Sequence, residues 1–264
     1  MKNSKRTVYY SDEINDDFAG IEREPIRVGA DFPYIHQSRL WNIAAFVVYR
    51  VIMTPFAYLY SKLKFNLRIV GREKLKAARG KGVFLYGNHT LMAGDAFIPN
   101  LVTFPRRTYV VVNAANLSGK GTRTWNQMSG AIPLPTELGG MRAFLNVLSL
   151  RAEQGHCIHI YPEAHVWPYY TGIRPFGNAA FRYPVRFNCP VFCTTVTFQK
   201  KRFGKTPRVT VFVDGPFSVD PTLSTREREE KLRDLVYTTM CERAKNSTYS
   251  PVEYVKRIEK GDGI

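Results

Sequence analysis

"GVFLYGNHTLMAGDAFIPNLV", residues 82–102, places a strand, a turn and a helix in one run. Gly82 to Gly87 has the β-branched and aromatic content of a strand, and an apolar helical pattern follows from about Asp95 to Val102. Similar units lie on either side. "NLRIVG" (66–71) has strand composition, and "TYVVV" (108–112) is the continuous apolar run of a strand covered on both faces. "LSGKGTRTWNQMSG" (117–130) is a polar, basic helix or loop. A helix is expected from Gly139 to Glu153 on Met141, Phe144, Leu145, Leu148 and Leu150, leading into the strand "CIHIY" (157–161). "VFCTTVTF" (191–198) and "RVTVFV" (208–213) complete the strands, and "STREREEKLRDLVYTTMCERAK" (224–245) starts with an N-cap Ser/Thr and is a solvated closing helix. Alternating strands and helices predict an α/β fold with a mostly parallel central sheet flanked by helices. Ligands gather at the C-terminal strand ends of such sheets.

Two of those ends hold unusual residues. His89 leaves the first strand with Asp95 a few residues on, and Glu163 follows a strand and a proline in "HIYPEAHVWPYY" (159–170). A carboxylate that accepts from one imidazole nitrogen fixes the tautomer and leaves the other nitrogen to take a proton from a hydroxyl. No protein nucleophile is needed if the acceptor substrate is itself activated. Taken alone, the same residues also fit a packed histidine, a helix-capping aspartate and an exposed loop glutamate.

Composition narrows the setting. With 38 Lys+Arg against 22 Asp+Glu in 264 residues, the net charge of +16 favours an anionic partner. The basic residues are scattered and form no nucleic-acid-binding module, so no nucleic-acid partner is expected. Cys157, Cys189, Cys193 and Cys241 have no C-x-x-C spacing and suggest reduced thiols of a cytosolic compartment. His156 and His159, three apart on a strand, face opposite sides, and no metal is expected. "LWNIAAFVVYRVIMTPFAYLY" (40–60) approaches the length of a membrane span, but Asn42 and Arg50 interrupt it and Pro55 would kink it. An interfacial helix pair fits this pattern, as does a helix buried against the domain; flanking Trp, Tyr and Lys favour the membrane. The expected organisation is a polar N-terminal tail (1–39), loosely ordered at its start, an apolar helical membrane-associating segment (40–64) and an α/β domain (65–264).

Four blocks in order, Asn88-His89 followed by Asp95, "GAIPLP" (130–135), "YPE" (161–163) and "CPVFCTTVTF" (189–198), resemble the glycerolipid acyltransferases of the lysophosphatidate (1-acylglycerol-3-phosphate) group. The resemblance runs from about Gly71 to Pro216. It implies acyl transfer from acyl-CoA or an acyl carrier protein thioester to a lipid hydroxyl, without a resident cofactor, at the cytoplasmic face of an anionic membrane. It makes His89 the base and Asp95 its orienting partner. Glu163 takes the third block's acidic position, Gly130 and Ile132 match the second block, and Pro190 and Val191 begin the fourth. Backbone N–H groups near Asn88 are candidates for the oxyanion site, and Asn88 and His165 for substrate binding.

Three departures bear on activity. Five residues, "TLMAG", separate His89 from Asp95 where the family has four, and Gly94 is the residue expected to absorb the extra one through positive φ. The family's third-block arginine, which reads the acceptor phosphate, is replaced by Val166, and the second-block arginine by Thr136. Either Arg174, Arg142, Arg123 or Lys120 takes over, or the acceptor has no phosphate there. A non-catalytic lipid-binding or scaffold protein of the same fold is the alternative reading.

Overall fold

A computed structural model describes residues 6–20, 23–119, 121–202, 204 and 206–257. In chain order the elements are β1 (Arg6–Tyr10), α1 (Arg39–Phe46), α2 (Thr54–Phe65), β2 (Arg68–Val70), β3 (Val83–Gly87), α3 (Ala93–Thr103), β4 (Thr108–Val112), α4 (Thr122–Met128), β5 (Ala131–Pro133), α5 (Met141–Glu153), β6 (Cys157–Ile160), α6 (Arg182–Phe187), β7 (Val191–Gln199), β8 (Arg208–Phe217), α7 (Thr225–Ala244) and β9 (Val252–Lys256). β2 to β8 form one sheet in the order β2-β8-β7-β3-β6-β4-β5. Five of its six neighbouring pairs are parallel, and only β7 and β8 run antiparallel.

The period-two alternation of β3 divides the core between the two faces of the sheet. Phe84 and Tyr86 point to one face, where Phe144, Val147 and Leu148 of α5 and Leu232, Val236 and Met240 of α7 cover them. Val83 and Leu85 point to the other, against Phe65 of α2 and Ile98 and Val102 of α3. The charged α7 is therefore solvated on one side only. Ser224 and Glu227 close a capping box at its start.

The apolar segment is one continuous helix, Arg39–Phe65, not a pair. Val47–Met53 is wound as a π-helix between α1 and α2, and Pro55, inside the continuous helix, follows this π-wound stretch. The two polar residues that interrupt the run turn toward the domain: Arg50 donates to Pro105 O at 2.7 Å, and Asn42 Nδ2 to His36 O at 3.3 Å. Leu40, Ile43, Phe46, Val51, Ile52, Phe56, Leu59 and Leu63 remain exposed. Only 17% of the most apolar stretch is buried, so burial against the domain does not account for its composition. The helix is long and apolar enough to cross a membrane.

From Arg6 onward the expectation of a loosely ordered start does not hold; residues 1–5 lie outside the described residues. β1 pairs in parallel with β9, which the polar pattern of the tail did not announce. The reason lies in the aromatics within it: Tyr10 and Phe18 pack on Trp167 with centroids 4.7 and 5.3 Å away, and Trp167 stacks on Tyr254 of β9 at 4.8 Å.

Between β8 and α7, Asp214 accepts from Lys74 Nζ at 2.6 Å and from Arg243 Nε and Nη2 at 2.7 and 2.8 Å. Burial alone would raise its carboxyl, but the hydrogen bonds from Arg243 and Lys74 outweigh this and hold it below its ordinary value. A depressed folded value means that the stabilisation is complete above about pH 4 and is lost as pH falls through the folded value. Asp214→Asn is expected to lower unfolding free energy by roughly 1–3 kcal/mol at neutral pH. In urea titrations from pH 7 to pH 3, the variant should show a shallower acid-induced loss than the wild type.

Candidate active site

The polypeptide leaves β3 at Gly87 and reaches the first turn of α3 in a tight turn that sets His89 against Asp95. His89 Nδ1 lies 2.8 Å from Asp95 Oδ2, which also accepts the Leu91 N–H at 2.8 Å. Asp95 is 2% exposed and the His89 side chain 19%, so the carboxylate is enclosed and the far edge of the imidazole is reachable. The ring stacks on Tyr161 at 4.3 Å, and the Tyr161 hydroxyl donates to Asp95 O at 2.6 Å. With Nδ1–H directed to Asp95, Nε2 carries the free lone pair of a base.

The longer spacing is absorbed, but not at Gly94. Met92 carries the strain, at φ 51° and ψ −116°. Gly94 is helical, and its role is close approach: a Cβ there would stand 2.9 Å from Leu91 Cβ.

Glu163 is buried, and its carboxylate binds main chain. Oε2 accepts from His89 N at 3.1 Å and Oε1 from Arg174 N at 3.2 Å. Burial pushes this carboxyl up, opposed by Arg174 and by the two N–H donors. Trp167 N donates to His89 O at 3.1 Å, so the histidine backbone is held at both its N–H and its carbonyl. Below it lies His159, which burial, with His89 nearby, pushes down to about 3 and keeps neutral.

Other expected site residues have different positions. Asn88 is a clamp on β7, its Nδ2 donating to Val196 O at 3.2 Å and its Oδ1 accepting from Val196 N at 2.8 Å. Of the backbone N–H groups near Asn88, those of His89 and Leu91 are spent on Glu163 and Asp95. Gly130 and Ile132 are not brought to His89: β5 lies three strands from β3, ~14 Å at the usual strand spacing. Gly130 permits close approach to Thr108 O, 2.7 Å from where a Cβ would stand, and Ile132 is core. His165 faces the N-terminal segment, its Nδ1 3.6 Å from Asp17 Oδ2. Pro190 accepts from Phe84 N at 3.0 Å at the start of β7, and Val191 is core.

Arg174 is not free to read a phosphate. It is fully buried, lies over Trp167, and donates to Glu163 O at 3.0 Å, to Glu13 O at 3.3 Å and to His165 O. Arg142 is exposed on α5, Arg123 lies 5.0 Å from the Phe32 ring, and Lys120 is outside the described residues. Among the described residues no group of three or more His, Cys, Asp or Glu is placed to hold a metal ion.

Where the resembling family has its two arginines, this chain docks its own N-terminal segment. Val166 N donates to Asp17 Oδ1 at 3.2 Å and Val166 O accepts from Phe18 N at 3.1 Å. Thr136 Oγ1 accepts from Val28 N at 2.9 Å, and Thr136 N donates to Val28 O at 3.1 Å. Trp167 Nε1 donates to Asp16 O at 2.7 Å. Sequence reasoning missed this cover, as well as Tyr161 and Trp167 as supports of His89; the aromatic density of "YPEAHVWPYY" was the available signal.

A family model described as Acyltransferase matches residues 66–197, half of the chain. The chain belongs to the acyltransferase family. Among solved structures, the 1-acyl-sn-glycerophosphate (LPA) acyltransferase PlsC from Thermotoga maritima superposes with a TM-score of 0.55, covering 82% of this chain and 86% of that one at 14% identity. At that identity the likeness shows a shared fold. A search of curated proteins found no match. The matched residues of this acyltransferase include the His89–Asp95 pair, Glu163 and the Asn88 clamp.

The geometry of the turn sets two opposite stability effects. Met92→Gly is expected to stabilise by about 1 kcal/mol, because glycine tolerates this backbone conformation. Gly94→Ala is expected to destabilise by about 1–3 kcal/mol through the Leu91 contact. Chemical denaturation of the two variants beside wild type measures both.

Proposed function

We propose that this acyltransferase works at a membrane surface, moving a fatty acyl group from a coenzyme A or carrier-protein thioester to a hydroxyl of a lipid-like acceptor, with His89 as general base. The observation that carries the reading is the 2.8 Å contact of His89 Nδ1 with the enclosed Asp95 carboxylate, at the C-terminal edge of the sheet. His89 Nε2 takes the acceptor hydroxyl proton as the oxygen attacks the thioester carbonyl. The C–S bond then breaks, and the departing thiolate recovers the proton from the imidazolium, whose charge Asp95 stabilises. The pair is thereby returned to its starting state.

The acceptor end near Val166 is read as uncharged. Asp17 lies where a phosphate would need cations, the Arg174 Nη groups are spent on main-chain carbonyls, and like charges in contact are unfavourable. This favours a hydroxyl-rich or neutral lipid head over 1-acylglycerol-3-phosphate, and the aromatic residues beside it suit such a surface. The exposed face of α1–α2, with the +16 net charge, supplies apolar insertion and attraction to anionic lipid.

With labelled acyl-CoA and acyl carrier protein offered against neutral, glyco- and phosphate-bearing lyso-acceptors, the wild type is expected to form acyl product and to prefer an acceptor without a phosphomonoester. His89→Ala should lose about 10²–10⁴-fold in kcat. Undiminished turnover in that variant would remove His89 from the mechanism, and no product across the panel would favour the non-catalytic lipid-binding reading. Sedimentation with phosphatidylglycerol vesicles tests the surface separately. Binding is expected at low salt and should weaken in Phe46→Asp/Ile52→Asp; equal binding by wild type and variant would overturn the role of the helix.

A further inference from the structure

At the opposite edge of the sheet from His89, the start of α1 faces the N-terminal ends of β4 and β5 across a cleft. It holds about 510 Å³ of empty space, part of it open to solvent. Arg107 and Arg151 lie on the Tyr109 ring, their guanidinium carbons 5.0 and 4.6 Å from its centroid. His36, stacked on Trp41 at 3.7 Å, and Asn42 form the α1 side, and Gln127 closes the cleft from α4.

The electrostatics of this cleft are unbalanced. No carboxylate lines it, and among the described residues neither Arg107 nor Arg151 is in an ion pair. Each guanidinium spends one nitrogen nearby, Arg107 Nη2 on Met128 O and Arg151 Nη1 on Gln154 Oε1, both at 2.9 Å. Arg107 Nε, Arg151 Nε and His36 Nε2 are buried with no hydrogen-bond partner among the described residues. Burial and then the neighbouring Arg123 and Arg151 push His36 below its ordinary value, as expected where positive charge is uncompensated. The two guanidiniums thus carry positive charge that no carboxylate of the cleft offsets, and an anion bound there would offset it. A phosphate has enough acceptor oxygens for both guanidiniums, which bind it with charge-assisted hydrogen bonds.

We propose that this cleft binds the phosphate of an anionic lipid headgroup between Arg107 and Arg151, at a site separate from the acyl-transfer centre. α1 argues for a lipid source. Trp41, Asn42 and Ala45 line the cleft, while Leu40, Ile43 and Phe46 of the same helix are exposed and offer a surface along which acyl chains continue. The lipid assignment rests on the interfacial reading of α1–α2 and is independent of the acyl-transfer chemistry.

The test uses the full chain and monomeric ligands, so that it does not depend on vesicle binding: dihexanoylphosphatidylglycerol below its micelle concentration, inorganic phosphate and dihexanoylglycerol, each read by thermal unfolding. The phospholipid is expected to raise the midpoint by a few degrees, inorganic phosphate to act only at much higher concentration, and dihexanoylglycerol to have no effect. Arg151→Gln should raise the half-saturating phospholipid concentration about tenfold or more. Gln127→Glu, which places a carboxylate in the cleft and leaves both arginines intact, should do the same if Arg151→Gln proves unstable. No stabilisation of the wild type, or stabilisation undiminished in both variants, would overturn the proposal. So would an equal response to inorganic phosphate, which would make this a general anion site, or an equal response to dihexanoylglycerol, which would make it an apolar one. The response should persist in His89→Ala; its loss there would put the lipid at the acyl-transfer centre instead.

Discussion

One carboxylate, that of Glu163, joins the two loops on which the site is built. Removed from water, it has to be met by donors, and those donors are the N–H groups of His89 and Arg174. The turn after β3 is thereby fixed to the turn after β6. From this follow the stack of His89 on Tyr161, the bond from Trp167 N to His89 O and the enclosure of the Arg174 guanidinium. In this chain Glu163 therefore works as a bracket for the base.

Much of this was legible before any coordinates. The β-branched and aromatic content of residues 82–87, the continuous apolar run at 108–112 and the spacing in α5 specified a covered parallel sheet, because each element's composition follows from what it buries. His89 and Asp95 were readable as a pair because the order of blocks along the chain raised them above coincidence. What escaped depended on long-range partners. Asn88 resembles a ligand-binding residue until Val196, more than a hundred positions away, is seen to take both ends of its amide. Arg174 resembles a free cation until its carbonyl partners are known. The strained backbone fell on Met92 although Gly94 has the more permissive backbone, because the helix needed a small residue against Leu91.

The polar residues of the apolar helix have a common logic. Arg50 donates to the carbonyl of Pro105 in the domain and Asn42 to that of His36 just before the helix, so both polar side chains have a main-chain acceptor. The helix begins at the Arg107–Arg151 cleft and ends beside Gly94, where Phe65 packs near the turn that carries His89. At 27 residues it is ~40 Å long, and so it lies alongside both edges of the sheet. A single apolar face thus runs past both clusters.

The parallel pairing of β1 with β9 also sets an order of assembly. β1 is synthesised more than 240 residues before its partner, with Tyr10 aligned to Lys256. Until the ribosome has delivered β9, Tyr10 and Phe18 have Trp167 to lie against but no ladder to hold them, and Tyr254 is absent from the aromatic cluster. The aromatic cluster beside the cover over Val166 and Arg174 is therefore complete only once β9 has been made.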